Sequence, residues 1–156
     1  MDTDADTYAD PRLQESVALF NRGEYYSCHD SLEAIWMEAS TLEKPFYQGI
    51  LQIAVGLYHL GNHNWQGASI LIGEGVNRLR PFEPGYGGLD VARLVDCGWA
   101  WLTVLHQTGR DRVEEVAAAV PLAQSTATEI LPAAVVTIAG TQYSLPPLYL
   151  HSFDHL

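Results

Sequence analysis

The chain has 156 residues, 47% of them hydrophobic, and a formal net charge of -11. That length fits one domain, and four tryptophans, eight tyrosines and four phenylalanines supply enough apolar surface for a core, which excludes disorder of the whole chain. Phosphate backbones and anionic lipid surfaces repel so acidic a chain, so neither nucleic acid nor a membrane is expected as a partner.

Residues 1–10 are polar and acidic and read as a disordered tail, not a signal peptide. Asp10-Pro11 opens a first helix whose apolar side is Leu13, Val17 and Phe20, and Asn21-Arg22-Gly23 ends it. A second helix is expected over Glu24 to Ala39, where Tyr25, Cys28, Leu32 and Ile35 repeat at helical spacing. A third, from about Pro45 to Leu60, is apolar nearly all round, which predicts a central position. Asn64 caps a fourth helix over Trp65 to Leu79, whose Gly67, Gly73 and Gly75 suit close backbone approach to a neighbour.

Pro81 to Gly88 reads as a flexible turn. A fifth helix, amphipathic through Val91, Leu94, Val95, Trp99, Leu102 and Leu105, follows to about Gln107. Trp99 and Trp101 point to opposite sides of it, so one belongs to the core and the other marks an interface. Asp111 caps a short sixth helix that stops before Pro121. Beyond it, Val135 to Ile138 and Tyr143 to Leu145 flank Gly140 and read as a short hairpin or an extended strap. The expected fold is therefore mainly α: a compact bundle of about five or six helices over 11–120, with an extended or β-hairpin segment over 121–156 packed on it.

Cys28 and Cys97 belong to no CxxC pair and read as buried, reduced thiols. No apolar run reaches the roughly 20 residues of a membrane span, so the cytoplasm is the expected compartment.

Helical spacing puts His29, Glu33 and Trp36 on one face of the second helix, and Gln48, Gln52 and His59 on one face of the third. If these faces meet inside the bundle, three readings follow. The favoured one is a hydrogen-bonded polar network in which Glu33 orients His29 and the glutamines bridge to His59, because buried polar groups must satisfy one another. The domain would then have a structural or protein-interaction role, with a protein partner or self-association. The second is an enzyme or small-ligand site, with Glu33 and His29 as acid–base pair and Tyr26, Trp36, Tyr47, Gln48, Gln52 and His59 as lining. The third is a divalent metal on His29, Glu33 and His59, a two-histidine, one-carboxylate set. HExxH and paired ExxH motifs are both missing, so no cofactor is favoured. No phosphate loop or GxSxG elbow accompanies the stripe. His63 falls in a turn, and His151 and His155 fall in the tail.

Phe20-Asn21-x-Gly23-Glu24-Tyr25-Tyr26, followed by His29-Asp30-x-Leu32-Glu33-x-x-Trp36, resembles the opening of a small helical family known as domain of unknown function 309. The likeness continues through Phe46 to Gln52, His59, Gly61-Asn62-x-x-Trp65-x-Gly67-Ala68 and the Tyr86-x-Gly88-x-Asp90 loop. The resemblance implies a compact helical bundle and no particular reaction, substrate or cofactor. Ser27 stands where the family often has an acidic residue, which removes one carboxylate from any metal set the resemblance would imply.

Overall fold

A computed structural model describes residues 10–124 and 133–153. The tail expected over 1–10 therefore lies, except for Asp10, outside the described residues, as does His155. Six helices are present among those described: α1 (Leu13–Asn21), α2 (Tyr25–Glu38), α3 (Lys44–Gly61), α4 (Trp65–Leu79), α5 (Val91–Thr108) and α6 (Val113–Ala123).

The helix ends follow local chemistry. Gly23 takes φ +80°; its own amide donates to the Phe20 carbonyl and the Glu24 amide to that of Leu19, closing α1 with a left-handed residue that costs glycine little. The start of α3 is organised by Ser40, whose hydroxyl accepts from the Glu43 amide while its carbonyl accepts from Lys44. The Asn64 side chain accepts from the Gly67 amide and the Asp90 side chain from the Arg93 amide, capping α4 and α5. Asp111 caps nothing: it sits inside a 3-10 turn, Arg110–Arg112, that leads into α6. Nor does α6 stop before Pro121. The proline lies in the final turn, where losing one N–H costs a single ladder bond.

Helix α3 is central. It packs along α2 on one side and α4 on the other, α1 covers α2, α5 packs on α4, and α6 crosses back to α3. Phe46, Ile50, Ile53, Leu57 and Leu60 of α3 are buried, and they meet Leu32 and Ile35 of α2, Ile72 and Leu79 of α4, and Trp101 and Leu105 of α5 in one core. Fully burying each such side chain contributes about 1.5–3 kcal/mol. Gly49, Gly56 and Gly75 let α3 and α4 approach: a Cβ on Gly75 would lie 2.6 Å from the Gly49 carbonyl oxygen.

Two small antiparallel hairpins complete the fold. The segment expected to be a flexible turn forms β1 (Gly85–Tyr86) and β2 (Leu89–Asp90) around Gly87-Gly88, both at positive φ. The two glycines supply the left-handed pair that a two-residue hairpin turn demands. After α6, β3 (Ala134–Ile138) pairs with β4 (Thr141–Leu145) through Ala139-Gly140, also both at positive φ. Residues 146–153 then run as a strap over the helices. Trp101 donates to the Pro146 carbonyl at 3.0 Å and the Cys97 thiol to that of Pro147 at 3.3 Å. The Leu150 amide donates to Asn21 Oδ1 at 2.7 Å, and Leu89 bridges to Ser152.

Candidate functional site

Lys44, Gln48, Leu51, Gln52, Val55, Tyr58 and His59 fall on one strip of α3, because residues three, four and seven apart share a helix face. The contacts of this strip fix where it points. Lys44 Nζ sits 4.3 Å over the Trp36 ring, and the Tyr58 ring lies 5.2 Å from that of Tyr26, so one edge runs along α2. The Gln52 amide donates to Glu74 Oε1 and accepts from Arg78 Nε, both at 2.9 Å, so the other edge runs along α4. Leu51, Val55, Gln48 and His59 are half-buried between those edges. The core residues of α3 occupy the opposite side.

The polar stripe is thus on the outer face of the α2–α3–α4 layer and not in the middle of the bundle. The five groups expected to bond to one another form no common network: no hydrogen bond joins any two of them among the described residues. Gln52 alone is buried, and it is satisfied by α4. His59 Nδ1 lies 3.4 Å from Asn64 Nδ2, beside the turn into α4. The His29 side chain is 22% exposed, but its Nδ1, 3.2 Å from Asp30 Oδ1, is buried and makes no hydrogen bond among the described residues, and Glu33 is exposed. The physical reason is solvation: an outward strip leaves the Glu33 carboxylate in water, whereas burial would charge it a desolvation cost of several kcal/mol. Only Gln52, neutral and doubly bonded, goes under.

Tyr47 does not line a pocket with Tyr26 and Trp36. It is buried on the core side of α3, edge-on to Phe46, and its hydroxyl accepts from the Asp10 amide at 3.0 Å. The three ligands of the expected metal set do not come together either. The ligand atoms that do converge are those of His29, Asp30 and Glu33, all within 4.8 Å of one another on α2. Asp30 stands one residue from His29, a separation that i, i+4 and i+7 helical spacing does not group.

Two tyrosine rings dominate the α2 edge. Tyr26 is 55% exposed and Tyr58 40%, their planes are tilted by 48°, and the His29 ring lies 5.5 Å from Tyr26. Trp36, ten residues along α2, is half-buried under Lys44, and its Nε1 has no hydrogen-bond partner among the described residues. Neither Tyr58 nor Asp30 was among the site residues that helical spacing singled out.

Elsewhere, a cleft of about 620 Å³ opens between the start of α1, the Gly87-Gly88 turn and Ser152-Phe153, and a smaller one of about 170 Å³ lies between α5 and the strap. Neither contains a candidate residue. In the smaller cleft, burial pushes the Cys97 thiol up to about 12, and burial together with the Arg93 charge lowers His151 against an opposing pull from Asp90. Cys28, donating to the Ser16 carbonyl, is likewise raised to about 12 by burial. Such thiols are poor nucleophiles. Trp101 is buried and Trp99 exposed, with the Arg80 guanidinium 6.0 Å from its ring.

Comparison with known proteins agrees with the resemblance in the residue pattern. Residues 13–71 match the family described as Domain of unknown function (DUF309). The matched segment runs from the start of α1 into α4 and holds every candidate residue from Tyr26 to His59; the Tyr86-Gly88 loop lies beyond it. The chain is 31% identical over 98 residues to the Uncharacterized protein YpuF of Bacillus subtilis (strain 168), an overlap of 61% of this chain and 52% of that protein. The chain thus spans about half the length of the curated relative it matches. No solved structure matches it. Neither description names a reaction, a ligand or a partner. No helix among the described residues is long and apolar enough to cross a membrane.

Proposed function

We propose that this chain is a protein-interaction module and that its partner docks on the outer face of α2, α3 and α4. The observation that carries this reading is the exposed Tyr26–Tyr58 ring pair, set among half-buried Leu51 and Val55 with polar residues on both edges. Tyrosines present large contact area at small entropic cost, and an apolar centre with a polar rim is the anatomy of an interface. Two free buried thiols and the net charge of -11 fit a cytoplasmic protein that avoids nucleic acid. The test is a photo-crosslinking amino acid placed at Tyr58, with Leu122 of α6, also exposed, as control. In cells, Tyr58 should give one discrete adduct with another protein and Leu122 none. An adduct of two copies of this chain would identify self-association instead. Equal or absent adducts at both positions would remove the reading.

A second reading rests on the convergence of His29, Asp30 and Glu33: a divalent cation held by one imidazole and two carboxylates. Calorimetric titration with Zn2+ and with Mn2+ tests it. Saturable heat that His29→Ala abolishes is expected, and identical heats from the two proteins would refute it.

A further inference from the structure

Resting on the docking reading, we infer that the Tyr26–Tyr58 end of this face is a recognition corner for a cationic side chain, so that the partner segment bears lysine or arginine. Three local facts lead there. The two rings are open to solvent and tilted against each other, which leaves π faces available to a cation. Asp30 and Glu33 stand beside them, exposed, and neither carboxylate pairs with a lysine or arginine among the described residues. At the far end of the same seam, the chain fills the equivalent position itself: Lys44 covers Trp36 at 4.3 Å. The near end has the aromatic surface and the negative charge, and no cation of its own among the described residues.

Charge complementarity selects the occupant. The chain has eight lysines and arginines against nineteen aspartates and glutamates. On this face, Lys44 is stacked on Trp36 and Arg78 is held by Gln52. A second copy docking face to face would therefore bring carboxylates toward carboxylates, which costs free energy at an interface. A basic segment of another protein gains at the same place. The distance along α2 from Tyr26 to Trp36, ten residues at about 1.5 Å each, gives a seam of roughly 15 Å, a little under three turns of a partner helix.

The experiment uses the full chain and three synthetic amphipathic helical peptides of equal length. They share one leucine face, and the other face carries lysine, glutamine or glutamate. Binding is followed by NMR shifts and calorimetry. The lysine peptide should perturb Tyr26, Tyr58 and Glu33, and the glutamine peptide should bind about tenfold more weakly. Asp30→Asn/Glu33→Gln should weaken the lysine peptide by about tenfold, whereas Asp111→Asn/Glu114→Gln, the same charge change at the α6 end, should weaken it by less than about twofold. Tyr26→Leu/Tyr58→Leu should also weaken it with the net charge untouched. Equal losses in the two charge variants would mean unspecific attraction and overturn the inference. Equal binding of glutamine and lysine peptides on this face would overturn the cationic corner and leave the docking face standing. Failure of every peptide to perturb the face, or a dimer that Tyr58→Asp dissolves, would overturn it too.

Discussion

Gly75→Ala isolates the contact that holds α4 against α3. In an unhindered helix, replacing glycine by alanine gains about 1 kcal/mol. Here the added methyl would lie 2.6 Å from the Gly49 carbonyl oxygen, 2.7 Å from Ile53 Cγ1 and 3.0 Å from the Ile53 amide nitrogen. Two of these atoms are backbone, so relief comes only by separating the helices. A gap of about 0.5–1 Å forfeits a quarter to a half of each contact's dispersion energy along the seam. Overpacking costs about 1–3 kcal/mol, and two backbone atoms that cannot turn aside put this case in the upper part of that range, about 2–3 kcal/mol. The packing cost exceeds the propensity gain, for a net loss of about 1–2 kcal/mol and a fall in Tm of roughly 2–8 °C. Gly61→Ala is the control. A Cβ there meets nothing within 4 Å, so stability should stay level or rise by up to about 1 kcal/mol. Gly49→Ala strains the same seam, and the double variant should lose less than the sum of the singles. Urea unfolding followed by circular dichroism at 222 nm reads all four. A Gly75→Ala protein as stable as its parent would refute the close-packing argument.

The strap should answer to its anchors. Asn21→Ala removes both bonds to Leu150 and should cost about 1–2 kcal/mol, with faster amide exchange at Leu148 and Leu150 before the helices open; uniform exchange would contradict this. Cys28 and Cys97 should resist a thiol reagent at pH 8 and react fully in denaturant, and rapid native labelling would disprove their burial. Their folded values near 12 exceed the ordinary 9.0, so the stability they contribute is complete below pH 9 and is lost as pH rises toward 12, by up to about 1.4 kcal/mol per thiol per pH unit. Cys28→Ala/Cys97→Ala should flatten that alkaline loss. His151 is shifted the other way. Burial and Arg93 lower it below 6.5, so its contribution is present above that value and lost as pH falls through the folded value, and His151→Gln should remove the slope.

The sequence and the structure agree where a property is local. Asn64 caps the helix it precedes, and Gly140 turns a hairpin, because one side chain or one backbone angle decides each case; Asp111 fails because a 3-10 turn takes the place of the cap. The small β1–β2 hairpin escaped because its strands are two residues each, too short for alternation to appear. The stripe was legible as a set of residues, since helical spacing alone groups Gln48, Gln52 and His59. Its direction was not.

Spacing places Tyr26, His29, Glu33 and Trp36 along one side of a helix whatever that helix packs against. The sequence alone therefore determined the helices, their order and which residues travel together. Only the tertiary structure decided that the grouped polar residues face outward, that Gln52 is satisfied by Glu74 and Arg78 twenty or more residues away, and that Tyr47 goes to the core while Tyr58 stays in water. Helix α3 has apolar residues on nearly every side, so its own pattern names no inward face. That choice belongs to its neighbours: the glycines that seat α4 against it, and α2, which lays Trp36 and Tyr26 against the ends of its outer strip.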